Sequence, residues 1–324
     1  MPKAELHLHL EGTLEPEMML ALARRNGVDL PFPDVYAARR AYVFDDLQSF
    51  LDVYYAGCSV LVEAEDFAEL TIAYVRRAAR DGVRHAEVFF DPQTHTDRGV
   101  PFAAVVEGIE AGLAEGEREL DVSSRLIMCF LRHLDADAAM ATLEAALPYR
   151  DRIVAVGLDS SERGNPPEKF GAVFDRARAE GFLTVAHAGE EGPPDYIRQA
   201  LDRLGVRRVD HGVRCTEDDD LVARLVAEQI PLTVCPLSNV RLRVFDTLEE
   251  HNVAAMLRRG IRVTISSDDP AYFGGYVGDN YVQTAQALAM SGEEMRTIAR
   301  SSVLASFLDD TRRAELLAEV DTYS

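Results

Sequence analysis

The chain has 324 residues, 47 % of them hydrophobic, and a formal net charge of −21 from 55 acidic and 34 basic side chains. That composition supports a sizeable core and excludes extended disorder. The charge leaves no positive field to attract a phosphate backbone or an anionic membrane, so nucleic acid and membrane are excluded as partners, and the acidity reads as solubility.

The first element is KAELHLHL (3–10). Successive side chains of a strand point to opposite faces, so His7 and His9 share one face while Leu6, Leu8 and Leu10 take the other. Two imidazoles about 6–7 Å apart along a strand can close on one metal ion. Residues 14–80 are too many for one crossover helix and carry several helical patterns, among them LEPEMMLALARRNG and LQSFLDVYYAGCSVL. They are expected to form a helical insertion over the catalytic end, with Tyr54 and Tyr55 read as packing residues and capping of the pocket as the alternative. RHAEVFFD (84–91), SSRLIMCFLR (123–132), IVAVGLDS (153–160), FLTVAHAG (182–189), RRVDHGV (207–213), PLTVCPLS (231–238) and RVTISSDD (262–269) read as further strands. Most are apolar on both faces, as buried parallel strands are. Helices are predicted over 167–181, 194–205 and 217–229; in the first, Phe170, Val173, Phe174 and Ala177 recur at helical spacing before Gly181.

Eight strands alternating with helices predict an α/β fold, a (β/α)8 TIM-type barrel forming a single domain over 1–324, with an open doubly wound sheet as the competitor. No glycine-rich dinucleotide or phosphate loop follows the first strand. Cys58, Cys129, Cys215 and Cys235 are far apart with no C-x-x-C pair, and read as reduced thiols. The first residues carry no signal-type pattern, and no apolar run reaches the roughly 18 residues of a membrane span, so a cytoplasmic location is expected.

Active-site residues of such barrels sit at the C-terminal ends of strands. The unusual residues fall there: His7 and His9 on strand one, His187 and Glu190 at strand five, His211 at strand six, Asp268 and Asp269 at strand eight. Burying that many ionisable groups costs on the order of several kcal/mol each unless they pair or bind metal. Three histidines and one carboxylate can hold Zn²⁺ and leave a position for water. A further carboxylic acid can then protonate a substrate, and a second His and Asp can orient the hydroxide. His85, His133 and His251 read as structural, as does His95, for which pocket lining is the alternative.

The motifs ELHLHLEG, HAGEE, DHGV and SDDP, in that order, resemble the signature set of the adenosine and AMP deaminase family, zinc-dependent (β/α)8 barrels of the amidohydrolase superfamily. The resemblance runs from residue 5 to about 280. FFDPQTHTDRG (89–99), GLDSSERGNPPEKF (157–170) and SSDDPAYFGGY (266–276) resemble the subfamily that acts on the free base adenine. Nucleoside enzymes usually carry His-x-His-x-Asp-Gly where this chain has Glu11, and Ser266 stands where relatives often carry Asn.

The resemblance implies hydrolytic deamination of adenine to hypoxanthine and ammonia in purine salvage. Adenosine, an N6-substituted adenine and aminodeoxyfutalosine are the alternative substrates. It implies one Zn²⁺ per chain, or iron or manganese, held by His7, His9, His187 and Asp268. Glu190 would protonate N1, His211 would take or steer the water proton, and Asp269 would bond N7 or the attacking oxygen. Glu11 and Glu162 are implied to bind substrate. Glu162 aligns where nucleoside enzymes place a small residue, and would accept the proton at N9 or N3; Ser161 and Asp159 are its alternates. The expected partner is a small purine, and a homo-oligomer is compatible with the sequence.

Overall fold

Short segments apolar on both faces are buried completely only when helices cover one face and a closed interior covers the other. The computed structural model, which describes residues 1–323, does this with eight strands. They are β1 (Lys3–His9), β2 (Val83–Phe90), β3 (Ser123–Leu131), β4 (Ile153–Asp159), β5 (Leu183–Ala188), β6 (Arg208–His211), β7 (Leu232–Val234) and β8 (Val263–Ile265). Each pairs parallel with the next in chain order. Beyond β8, Asp268 returns to β1: His9 N–H donates to Asp268 O at 3.0 Å, and Asp268 N–H to His7 O at 3.1 Å. The sheet is a nearly closed (β/α)8 barrel, not an open one.

All eight expected strands are present, but β6 and β8 stop early. The chain turns at His211 and at Asp268, both at positive φ (60° and 65°). At β7 it enters a helix at Pro236. The interior carries one apolar layer of Phe89, Ile127, Cys129, Ala155 and Val185. Gly157 makes room for it, since a Cβ there would meet Cys129 Sγ at 2.5 Å. Toward the strand starts, the fully buried Arg208 pairs with Glu87 and donates to Leu6 O at 3.0 Å. Against the effect of burial, Arg208 and His85 hold the Glu87 carboxyl at about 2.

The stretch 14–80 divides in two. Helix Ala64–Arg80 packs on β2 and on helix Phe102–Leu120, as the crossover of a first βα unit does. The second helix offers it Gly108, Gly112 and Gly116, one turn apart. A Cβ on them would come within 2.3 Å of Ala64 O, 2.5 Å of Thr71 Cβ and 2.4 Å of Val75 Cγ1. Glycine at this spacing lets the two helix backbones approach closely. The helices over the barrel mouth therefore precede residue 64. The nearest, Leu47–Cys58, starts at a capping box in which Ser49 N–H donates to Asp46 Oδ1 at 2.9 Å. Its apolar face joins Tyr272 and Phe273, which follow β8, in a separate cluster.

The four cysteines are buried and unpaired. Among the described residues no helix is long and apolar enough to cross a membrane.

Arg208→Met strands the Glu87 carboxylate without its cation. Removing one partner of a buried pair costs about 3–5 kcal/mol. Urea denaturation should show that loss, and Arg208→Met with Glu87→Gln should recover much of it. A single variant as stable as the parent would contradict the role given to the pair.

Candidate active site

The alternation of β1 holds in the structure. Leu6, Leu8 and Leu10 are fully buried on one side, and His7 and His9 project to the other, where His187, His211 and Asp268 meet them. Neighbouring residues of a strand cannot both face one site, yet Asp268 and Asp269 do. The positive φ of Asp268 breaks the alternation and turns both inward. Gly12 makes room for the second, because a Cβ there would lie 2.0 Å from Asp269 Oδ1.

The protons of two histidines are fixed from behind. Thr233 Oγ1 donates to Asp210 Oδ1 at 2.7 Å, so it can only accept from His7 Nδ1, 3.0 Å away. His187 Nδ1 donates to Leu158 O at 3.1 Å. In the neutral rings both Nε2 atoms then present lone pairs. His7 Nε2 has no hydrogen-bond partner among the described residues and lies 3.3 Å from Asp268 Oδ1. His187 Nε2 faces His9 Nε2 at 3.2 Å, and His9 Nε2 is 3.5 Å from Asp268 Oδ1. Lone pairs and a carboxylate directed at one point, with no proton available to some of them, suit a divalent cation. Three of the four residues expected as ligands, His7, His187 and Asp268, come together with His211, whose Nε2 is 3.7 Å from Asp268 Oδ2, while the fourth, His9, meets this group only at His187 and Asp268.

Around this cluster the carboxyls divide by environment. Burial pushes Glu190 well above the usual range, with Asp268 and Glu162 adding to the effect. Its Oε1 is unpartnered and 3.6 Å from His211 Nε2. Burial and the adjacent Asp268 likewise push Asp269 up. Asp268 goes the other way: against burial, His7, His211 and His9 hold it well below the usual carboxylate range. The cavity between them is roofed by Leu47, Phe50, Leu51, Tyr54 and Tyr55.

Two expected substrate contacts are placed otherwise. Glu162 turns away from the cavity. Its oxygens accept from the backbone N–H groups of Gly189, Glu190, Glu191 and Gly192 at 2.7, 3.1, 2.8 and 2.7 Å. Gly192 permits this, since a Cβ would lie 2.5 Å from Glu162 Oε1. Four donors leave that carboxylate nothing for a ligand, and its work is to shape the loop that presents Glu190. Glu11 is also absent from the cavity wall: it accepts from Asp91 N–H at 3.1 Å and pairs with His95 Nε2 at 2.8 Å. His95 is thereby structural. So are His85, bonded to Ser123 Oγ at 2.9 Å, and His251, bonded to Asn239 Oδ1 at 3.2 Å. His133 is exposed, 2.8 Å from Ser160 Oγ.

Tyr54 and Tyr55, read first as packing residues with pocket capping as the alternative, both line the cavity. Asp91 and Asp159 line it too. The rule that singled out the other residues, position at a strand's C-terminal end, applies to both. Thr233 and Asp210, which act from behind the histidines, carry no such signal.

Comparison with known proteins follows the same lines. Residues 2–323 match the family described as adenosine deaminase. The chain is 62 % identical over 308 residues to an adenine deaminase of Bordetella avium, covering 95 % of this chain and 97 % of that one. It is 57 % identical over 323 residues to an adenine deaminase of Hahella chejuensis, covering 100 % and 97 %. The crystal structure of an adenine deaminase from Arthrobacter aurescens matches with a TM-score of 0.97 at 53 % identity, covering 99 % and 98 %. An amidohydrolase from Burkhoderia ambifaria, with bound Zn, matches with a TM-score of 0.91 at 29 % identity, covering 99 % and 91 %.

If the histidines hold a cation, His187→Ala should lose bound metal by elemental analysis while the circular-dichroism spectrum is retained. Thr233→Val removes one of the two acceptors behind His7 Nδ1, leaving Thr233 O at 3.1 Å, and should weaken metal affinity by about tenfold at most. Full occupancy in His187→Ala would remove that residue from the ligand set.

Proposed function

The chain belongs to the adenosine deaminase family, and from that membership and the geometry of the site we propose that it is an adenine deaminase, converting adenine and water to hypoxanthine and ammonia. The observation that carries this reading is Glu190. It is a carboxyl that burial pushes toward its protonated form, with a free oxygen in the cavity, beside three converging histidines. A protonated carboxyl has no reason to sit there unless a ring nitrogen is to receive its proton. The names of the similar proteins support adenine as the substrate.

His7, His9, His187 and Asp268 would hold a divalent ion. Zinc is our assignment, supported by the zinc in the Burkhoderia amidohydrolase; iron and manganese suit the same donors. Such an ion, when bound, lowers the pKa of a water to about 7 and so supplies hydroxide at neutral pH.

The protein's own residues do the rest. Glu190 gives its proton to N1 as the oxygen–C6 bond forms, so the electrons displaced from the C6–N1 double bond are neutralised where they arrive. His211, whose Nε2 lies 3.6 Å from Glu190 Oε1 and 3.7 Å from Asp268 Oδ2, would take or steer the water proton. Asp269, protonated, donates to N7 and fixes the ring. The C6–N6 bond then breaks, and the amine leaves as ammonia with the proton collected at His211, while the C6 hydroxyl gives up its proton as the C6–O double bond forms and so restores the protonated Glu190. Leu47, Phe50 and Leu51 keep the cavity dry, which strengthens each of these interactions. The reaction suits purine salvage in the cytoplasm.

Ammonia release from adenine, adenosine, N6-methyladenine and aminodeoxyfutalosine tests the reading. Adenine should be the best substrate; no release from adenine by metal-loaded protein would overturn it. Glu190→Gln keeps size but cannot deliver a proton, so kcat should fall roughly 10²–10⁴-fold with metal content and hypoxanthine binding retained. A near-normal kcat would show that the N1 proton comes from elsewhere.

A further inference from the structure

We propose that Asp91 and Asp159 form the subsite that reads the N3/N9 edge of the free base and rejects purines substituted at N9. The inference rests on the adenine reading above and assigns its specificity.

Three observations carry it. Both residues stand at strand ends facing the cavity, Asp159 closing β4 and Asp91 directly after β2. Both are buried, 2 % and 3 % exposed. Their carboxyls are nonetheless left with free oxygens. Asp159 Oδ1 and Asp91 Oδ1 have no hydrogen-bond partner among the described residues; Asp159 Oδ2 faces only His9 Nδ1, at 3.5 Å, and Asp91 Oδ2 accepts only from Tyr54 Oη, at a long 3.3 Å. Buried polar groups are ordinarily satisfied, so unpartnered carboxyl oxygens in a cavity wall point to a ligand.

The barrel supplies the order. Reading the strands backwards from β5, the cavity wall presents Glu190 after β5, Asp159 at β4, Asp91 after β2 and Asp269 after β8. Around the rim of adenine, starting at N1, the polar ring atoms come in the sequence N1, N3, N9, N7. With N1 at Glu190 and N7 at Asp269, N3 falls at Asp159 and N9 at Asp91. His211, at β6 between the two ends of that path, then lies beside C6.

The chemistry matches at the same places. In the free base one nitrogen of the N3/N9 edge carries a proton and the other a lone pair. The carboxyls of Asp91 and Asp159 neighbour one another in one buried group, so an oxygen of one can accept the ring N–H while the other faces the remaining nitrogen. A purine carrying ribose or methyl on N9 has no proton to give and leaves a buried acceptor bare. Polar sites discriminate strongly by that means. The backbone reinforces the placement: Ser160 sits at φ 71°, a costly conformation for a non-glycine residue, immediately after Asp159. Its Oγ is tied to Tyr55 Oη at 2.9 Å.

The test compares kcat/KM for adenine and 9-methyladenine on metal-loaded protein, with metal content and melting temperature followed in each variant. The parent should favour adenine by about 10⁴-fold. Asp159→Ala and Asp91→Ala should each cut that ratio at least about tenfold, chiefly through loss on adenine, with bound metal unchanged. If either alanine variant fails to fold, the isosteric Asp159→Asn and Asp91→Asn carry the same comparison. They should move the ratio in the same direction by at least about threefold, because an amide has one acceptor oxygen where a carboxylate has two. If turnover falls below detection, Kd values for the two purines give the ratio. An unchanged ratio in the variants, or a parent that accepts 9-methyladenine as well as adenine, overturns the inference and leaves the deaminase reading standing. A parent that releases no ammonia from adenine overturns the reading itself.

Discussion

Two main-chain hydrogen bonds, His9 N–H to Asp268 O and Asp268 N–H to His7 O, join the end of the last strand to the first. They complete the barrel wall, and they also set two imidazoles beside one carboxylate. Assembly of the histidine–carboxylate cluster and closure of the sheet are thus coupled. The positive φ at Asp268 follows from it: the residue must pair with β1 through its backbone while its side chain points inward and its successor does the same. Strain of this kind persists only where surrounding structure overdetermines it. Here the surroundings include the absent side chain of Gly12.

Once these residues are fixed, burial distributes the charge. Asp268 lies among histidines and stays ionised, while Glu190, Asp269 and Asp159 lie among other acids and are driven toward the neutral form. A site with this division holds one anion to balance a cation and several carboxylic acids able to donate hydrogen bonds. That combination suits a neutral heterocycle rimmed with lone pairs. The strongly acidic composition of the chain leaves the opposite arrangement, a basic pocket for a phosphorylated substrate, unsupported. The Leu47–Cys58 helix adds a roof of aliphatic and aromatic side chains, and its Tyr54 and Tyr55 reach the same carboxyls and serine that the base would meet.

Much of this was legible in the sequence, for a definite reason. The period of two in KAELHLHL assigns faces to His7 and His9 without knowledge of the fold, and the barrel's rule for strand ends then gathers His187, Glu190, His211 and the Asp pair. Glu162 shows where such reading stops. Its neighbourhood in the chain, SSERG, says that a carboxylate is present but not whether it faces a substrate or a backbone. The answer lies in four N–H groups of a loop that is distant in sequence. Glu11 is similar, since its partner His95 comes from beyond β2. The division of residues 14–80 depended on three glycines in a different helix, whose spacing has meaning only once the two helices touch. Asp91 and Asp159 were within reach of the strand-end rule. Asp159 entered the sequence reading only as an alternate to Glu162 and Asp91 not at all, because each is a single ordinary aspartate in sequence and only the structure shows that each keeps an unpartnered oxygen in the cavity wall.

The measurement that bears most directly on this account is a crystal structure of the metal-loaded protein with hypoxanthine bound. The base should lie with N1 against Glu190, N7 against Asp269 and the N3/N9 edge against Asp159 and Asp91, with C6 toward His211. A base bound the other way round, with its imidazole ring toward Glu190, would contradict the assignment of each group to its ring atom.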